Sequence, residues 1–402
     1  MHTMNYKVAI IVSHPIQYQA PLWRGLAQYP DLDVHVFFGS DFSVRGYRDK
    51  DFGVSFAWDI PLTQGYTHTF LSPNPSINSS TQLQLDMRQM TAHLQAFQAD
   101  CVLTMGHSPL AFYGQTMLVA RLLRLPVVLR PEATDDAITR SAKKKLIRHV
   151  FLRLFYSQVR VFLAQGQHAY SHYRAKGVAP DKIVWAPYAI DSQWFERQIQ
   201  IWRPQRDAVR QELGFTPDQT VFLFAGKLID KKNPLLMVAA LRHLFEHITS
   251  SVALLFVGDG ELRPQLEAAL YRLPAVTTYW AGFQNQRQLA RFYCAADCLL
   301  LPSAYGETWG LVVNEALQCG IPAIVSEKVG CYPDLIVEGQ TGFVFPTGDA
   351  VALADCMQKM ITLLDKDRSR IFAACREKAR AYSIEYSIAG IYKALCQARG
   401  AR

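Results

Sequence analysis

The stretch that most constrains this chain runs from Pro302 to Asp334, where strand, loop, helix and strand signals follow in quick succession. Cys298–Leu301 is a short apolar run suited to a buried strand, and Pro302 to Gly306 break it. A helix is expected to begin near Trp309, capped by Thr308, with Gly320 at its left-handed C-terminal cap and Pro322 blocking continuation. The first free N–H groups of that helix, from Thr308, Trp309, Gly310 and Leu311, make an anion site together with its dipole. Two acids flank it, Glu307 in the loop and Glu315 further into the helix. On one continuous helix they would stand about 12 Å apart along the axis, whereas a retaining hydrolase needs its carboxyl groups only ~5 Å apart. Each acid therefore suits a different part of one long ligand. A plainer reading, in which Asn314, Glu315 and Gln318 form a solvated polar helix face, stays open on spacing alone.

At 402 residues, half of them hydrophobic and 19% charged, the chain is long enough for two domains with full cores and too apolar to be disordered. No apolar run reaches the ~18 residues of a membrane span. The first ten residues lead directly into a strand-like run without the features of a secretory signal. The eight cysteines form no C-x-x-C pair, which suits buried thiols in a reducing cytoplasm rather than disulfides or structural zinc. The net charge of +8 is concentrated: residues 140–182 carry ten Lys or Arg against one acid, Asp181. Interleaved with Leu146, Ile147, Val150, Phe151, Leu152, Leu154 and Phe155, the block at 140–160 reads as an amphipathic helix on an anionic membrane surface, or as a solvated basic helix packed on its own domain. No nucleic-acid-binding motif accompanies the charge.

Along the rest of the chain, strand and helix signals alternate. Lys7–Val12 is an apolar strand, and the loop after it has no glycine, which argues against a nicotinamide or flavin enzyme. His14 and Gln17 fall at the carboxyl end of that strand, where open α/β sheets place ligands; acceptor contact and bonding within the loop are both open for His14. Leu22–Tyr29 reads as helix and Asp33–Phe38 as strand, while 39–80 is the least regular stretch, an insertion on the ligand side of the kind that carries specificity. Further strands are expected at Cys101–Leu103, Val127–Leu129, Val161–Ala164 and Ile183–Trp185, with helices over Gln82–Phe97 and Gln115–Leu123. In the second half, Val221–Ala225 ends in Gly226-Lys227-Leu228-Ile229-Asp230-Lys231-Lys232, a cationic loop suited to a diphosphate, though exposed loop lysines are also ordinary. Val252–Val257 runs into Gly258-Asp259-Gly260, a tight strand-to-helix turn.

Glu307 to Pro322, preceded by Pro302-Ser303, resembles the E-x7-E signature of the retaining glycosyltransferases of family 4, also called group 1. Lys227 and Lys232 fall on the Arg and Lys of that family's G-R-L-x-x-x-K-G loop, and Gly258 to Arg263 on its G-D-G-x-L-R turn. The resemblance implies an α/β chain of two doubly wound Rossmann-like domains facing a cleft, the GT-B fold. It implies an acceptor domain over 1–195, a nucleotide-sugar domain over 205–380, and a last helix over 381–402 crossing back to the first. It further implies that a sugar moves from a UDP- or GDP-type donor, with retention, to a saccharide, lipid-linked or small-molecule acceptor. Neither a divalent metal nor another cofactor is expected. Lys227 and Lys232 would neutralise the leaving diphosphate, aided by Gly226 and the amides of 308–311; Glu307 would lie beside the donor sugar, Glu315 on the ribose, and the backbone near Phe283 on the base. The family's usual histidine after the strand at 127–129 is missing; Glu132 falls closest, as base or orienter or as a partner of Arg130, with His107 as the other candidate. A cytoplasmic protein, peripheral on the membrane face, follows from these expectations. The rival readings are a phosphorylase or epimerase of the same fold, and a non-catalytic binder of membrane or nucleic acid.

Overall fold

A computed structural model of the chain describes residues 5–49, 52–74, 76, 77, 79, 82–106, 110–131, 141–248, 250–273 and 275–400. Two sheets organise them, each all parallel, and their central strands are short runs of apolar residues, as strands buried on both faces must be. The first contains β1 (Tyr6–Val12), β2 (Leu32–Phe38), β5 (Thr67–Phe70), β6 (Cys101–Thr104), β7 (Val127–Leu129), β8 (Val161–Ala164) and β9 (Ile183–Trp185), in the order β5-β2-β1-β6-β7-β8-β9. Between β2 and β5 the chain makes a small antiparallel hairpin from β3 (Tyr47–Arg48) and β4 (Ser55–Phe56). The second contains β10 (Thr220–Ala225), β11 (Val252–Val257), β12 (Thr277–Gly282), β13 (Cys298–Leu301), β14 (Ala323–Ser326) and β15 (Gly342–Phe345), in the order β12-β11-β10-β13-β14-β15. The chain is thus two parallel-sheet α/β units, as the sequence predicts.

Register pins the centre of each sheet. Val8 stands between Val34 and Cys101, and Phe222 between Leu254 and Cys298, all six side chains buried. In both sheets the strand order reverses beside the first strand, between β1 and β6 and between β10 and β13. The carboxyl ends of the strands flanking such a reversal leave a crevice, which is where open α/β sheets bind ligands.

Several elements differ from expectation. β5 lies inside the stretch read as irregular; its Thr-His-Thr-Phe sequence alternates rather than running apolar, as befits an edge strand with intermediate burial. The helix expected from Gln82 begins at Met87, because Asp86 caps it by accepting from the amides of Arg88 and Gln89. The helix expected near Trp309 begins at Leu311: its N-cap is Gly310 in the left-handed region (φ 99°), so Thr308 is not the cap and the amides of Thr308, Trp309 and Gly310 precede the first turn.

The halves are joined by buried contacts rather than by a linker alone. The Trp309 ring lies against Gly166, where an added Cβ would stand 2.3 Å from it, and its indole N–H donates to Asn314 Oδ1 at 2.7 Å. Asn314 in turn donates to the carbonyl of Tyr188. Asp334 accepts the amide of Gln167, the first residue of a helix in the other half, and the Tyr382 hydroxyl. The last helix, Ile384–Arg399, packs Ile384, Ile391, Ala394, Leu395 and Ala398 into the core beneath β6, β7, β8 and β9. Gly166→Ala is expected to lower stability in urea by about 1–3 kcal/mol, the usual cost of overpacking, and to speed amide exchange at Gln167; an unchanged exchange rate there would show that the contact does not hold the halves together.

Candidate functional site

The reversal point of the second sheet brings two loops side by side, and the residues singled out in the sequence sit on them. The loop after β10 turns at Gly226 (φ 146°) and carries Lys227 and Lys232; the loop after β13 carries Ser303 and Glu307. The amide of Ala304 donates to the carbonyl of Lys231 at 2.9 Å, locking the two together. Lys232 forms an ion pair with Glu307, whose carboxylate also accepts from Ser303 Oγ at 3.2 Å. Both partners are mostly shielded, with side-chain exposures of 16% and 12%, so this pair feels far less screening than one in open water. Glu307 is held from behind by a parallel bridge to Val329 and by the Gly330 amide on its carbonyl. Glycine is required nearby: at Gly258 a Cβ would lie 1.9 Å from the Gly226 carbonyl oxygen, so the turn after β11 can pack on the lysine loop only without a side chain.

Glu315 projects from the helix Leu311–Gln318 and is buried. It accepts from the Tyr293 hydroxyl at 2.6 Å, with Gln286 as a second donor. Burial raises its pKa from 4.5 to about 7, against the opposing pull of those two hydrogen bonds. It faces a cavity of roughly 680 Å³ between the halves, a size that suits a small-molecule ligand. Gln17, Tyr18 and Arg24 line it from the first half, Trp194 and Arg197 from the helix Ser192–Trp202 that follows β9, and Gln286, Arg287 and Leu311 from the second. Arg24 is positioned by Asp191 at 3.4 Å and the Pro61 carbonyl at 2.9 Å.

The remaining candidates separate. Gln17 lines the cavity, but the His14 ring lies 4.4 Å from that of Phe42, with Ser13 Oγ 2.9 Å from its Nδ1; burial lowers its pKa to about 4, so it is neutral at physiological pH. Lys227 is engaged by the insertion between β2 and β5: it pairs with Asp49 at 2.9 Å and lies over the Phe52 ring. The same insertion covers Phe283 with Phe52 and Phe56, at centroid distances of 5.0 and 4.4 Å, and reaches Asn285 and Arg287 through the Ala57 carbonyl and Asp59. Thr308 and Trp309 are turned to structure, since the Thr308 carbonyl abuts Gly330 and the Trp309 side chain is buried. His107 and Glu132 lie outside the described residues. Sequence reasoning missed Asp49, Arg24, Trp194, Arg197 and Arg287; an acid in a long insertion facing a cationic loop was the available signal for Asp49. Buried Arg130 was read only as a partner for Glu132; it donates to the carbonyls of Ala186 and Pro187 and stacks on Tyr188, bracing the connection between the halves.

Burial of Glu315 has a consequence for stability. Below pH 4.5 the carboxyl is protonated in folded and unfolded chains alike; between 4.5 and about 7 the unfolded chain releases the proton while the folded one keeps it, so folding weakens as pH rises across that window. Glu315→Gln should therefore stabilise the ligand-free protein at pH 8 relative to the parent, by about 1.4 kcal/mol for each pH unit of that window, with the advantage vanishing below pH 4.5. Urea melts of both proteins across pH 4 to 8 check it; a pH-independent difference would mean that Glu315 is ionised without cost.

Comparison with known proteins follows the same lines. The family model described as glycosyl transferases group 1 matches residues 205–378, and that described as a glycosyl transferase 4-like domain matches residues 18–189. A sulfoquinovosyl transferase of Arabidopsis thaliana is 32% identical over 48% of this chain and 36% of its own length. A D-inositol 3-phosphate glycosyltransferase of Xylanimonas cellulosilytica is 29% identical over 56% of this chain and 54% of its own. The matched region thus spans about a third to a half of these relatives. Among solved structures, a glycosyltransferase from Rickettsia africae superposes with a TM-score of 0.74 over 99% of this chain and all of its own, at 13% identity. Anabaena HepE in complex with UDP gives 0.69 over 97% and 99%, at 16% identity.

Proposed function

This chain belongs to the group 1 glycosyltransferases, and we propose that it moves a sugar from a nucleotide diphosphate sugar to a saccharide, glycolipid or small-molecule acceptor, retaining the configuration at the anomeric carbon. The observation that carries the reading is the meeting of Lys232 and Glu307 at the reversal point of the second sheet, with Glu315 facing the cavity between the halves. Solved structures of the HepE neighbour with UDP and with UDP-glucose favour a donor of that class.

In this reading Glu315 and its Tyr293 partner hold the ribose, the backbone near Phe283 meets the base, and Glu307 takes a hydroxyl of the donor sugar. Lys232 has three N–H groups, so it can keep Glu307 and still donate to a phosphate oxygen. The bond from the anomeric carbon to the β-phosphate oxygen breaks, and its electron pair leaves with the diphosphate. Lys232 and Lys227 stabilise that developing charge electrostatically, and the amide of Leu311 adds its dipole. The acceptor hydroxyl oxygen bonds the anomeric carbon from the same face, and its proton passes to the departing phosphate. The lysines supply the charge compensation, so no divalent metal is required, and turnover should persist in chelator.

Asp49 stands against Lys227 as a second anion beside the incoming diphosphate, and the repulsion between the two opposes donor binding. Thermal shift and slow hydrolysis across uridine, guanosine and adenosine diphosphate sugars test the reading. One donor should stabilise the parent; Lys232→Ala should weaken its binding about tenfold, a charge-assisted hydrogen bond lost, and Glu307→Gln should cut turnover more than binding. No response to any donor would overturn the assignment. Asp49→Asn is expected to tighten nucleoside diphosphate binding about two- to fivefold, the worth of a partly exposed ion pair; weaker binding would show instead that Asp49 helps to seat the donor.

A further inference from the structure

The helix after β7, Ala142–Tyr156, buries Leu152, Phe155 and Tyr156 against the first sheet, as a packed helix should. Its outward side is also apolar. Leu146, Ile147, Val150, Phe151 and Leu154 recur at helical spacing and face solvent, with Leu146 65% and Leu154 66% exposed. Lys143, Lys144, Arg148 and Arg153 flank this stripe, and no acid occurs from 141 to 180. The helix Leu110–Leu122, which packs on the same side of the sheet, also exposes Leu118 and Leu122, the latter by 67%. Scattered exposed leucines are ordinary; seven large apolar side chains on two helices of one face form a patch that water disfavours.

Where the two helices end, the surface opens into a cavity of roughly 540 Å³. Arg121, Arg124, Arg160 and Lys182 line it, together with Ser157 and Gln158, and among the described residues no acid does. It lies beside Val127 and Val159, at the amino-terminal edge of β7 and β8, away from the strand ends that form the cleft. Cations near helix C-termini are common, since they complement the dipole. Four cations of which one, Arg121, shares a helix with exposed leucines are a different arrangement: apolar surface beside a cradle for anions.

We propose that this face docks on a bilayer rich in anionic phospholipid, the stripe entering the acyl boundary and the Arg121–Arg124–Arg160–Lys182 cavity receiving a lipid phosphate. Charge chooses the occupant: the helix that carries the stripe has lysines and arginines and no acid, which is complementary to an anionic lipid surface. Among the described residues no helix is long and apolar enough to cross a membrane, so the chain lies on the bilayer.

Co-sedimentation of the full chain with vesicles tests the proposal. The parent should pellet with phosphatidylcholine containing about a third phosphatidylglycerol and stay in solution with phosphatidylcholine alone, the binding weakening as salt rises. Leu146→Gln with Leu154→Gln should abolish pelleting. Arg121→Gln with Arg124→Asn should weaken it about tenfold or more; asparagine suits position 124, whose φ is +56°. Arg242→Gln, an exposed arginine of the other half, should pellet like the parent. Melting temperatures like the parent's confirm that the variants fold. A parent that ignores anionic vesicles, binds neutral ones equally, or is matched by both double variants overturns the proposal. So does a thermal shift with soluble glycerol phosphate, abolished by the arginine pair, in a protein that pellets with no vesicle: the cavity would then serve a free phosphate ester. Each outcome is independent of whether a sugar donor binds.

Discussion

The buried contact of Trp309 with Gly166 and Asn314 is what the rest of the molecule depends on. One ring, one missing side chain and one amide set how the two halves meet, and the cavity that Glu315 faces exists only between them. The contact works because its polar atoms are satisfied: the indole N–H goes to Asn314, Asn314 goes to the Tyr188 carbonyl, and Asp334 takes the Gln167 amide. Buried polar groups left without partners would cost more than the apolar contact returns. The segment from Pro302 to Asp334 thus carries both the candidate site and the join, so the geometry of the site and the closure of the cleft are coupled through a few residues.

Around that join, charge is distributed with economy. Lys232 is held by Glu307, and Lys227 by Asp49. Each cation is therefore desolvated and oriented before any ligand arrives, which lowers the reorganisation needed to meet an anion. The two pairs differ in origin: both partners of the first come from the second sheet, whereas Asp49 arrives from an insertion in the other half. That insertion also supplies Phe52 and Phe56 to Phe283, so it spans the cleft along the edge where β10, β11 and β12 end.

Most of the sheet strands were legible because buried parallel strands are short apolar runs; β12 and β15 were not read as strands. The site loops were legible for a related reason: cations and acids placed just after such runs must lie at strand carboxyl ends. Edge strand β5 was hidden by its mixed polarity. The cap at Thr308 was a sound local preference that lost to tertiary demand, because the Thr308 carbonyl packs against Gly330 and the turn passes to Gly310, which can take a left-handed conformation.

The sequence by itself therefore determined the two-sheet α/β architecture, the loops that carry Lys227, Lys232 and Glu307, the helix that carries Glu315, and the basic apolar segment near 142–156. Local pattern suffices for these because side-chain periodicity and turn residues act over a few positions. Only the tertiary structure decided that Asp49, 178 residues from Lys227, would be its partner, that His14 would turn to Phe42 while Gln17 faced the cavity, and that the stripe from Leu146 to Leu154 would point away from the core. Those outcomes rest on contacts between distant segments, whose pairing is set by how sheets and helices stack and leaves no trace in the spacing of neighbouring residues.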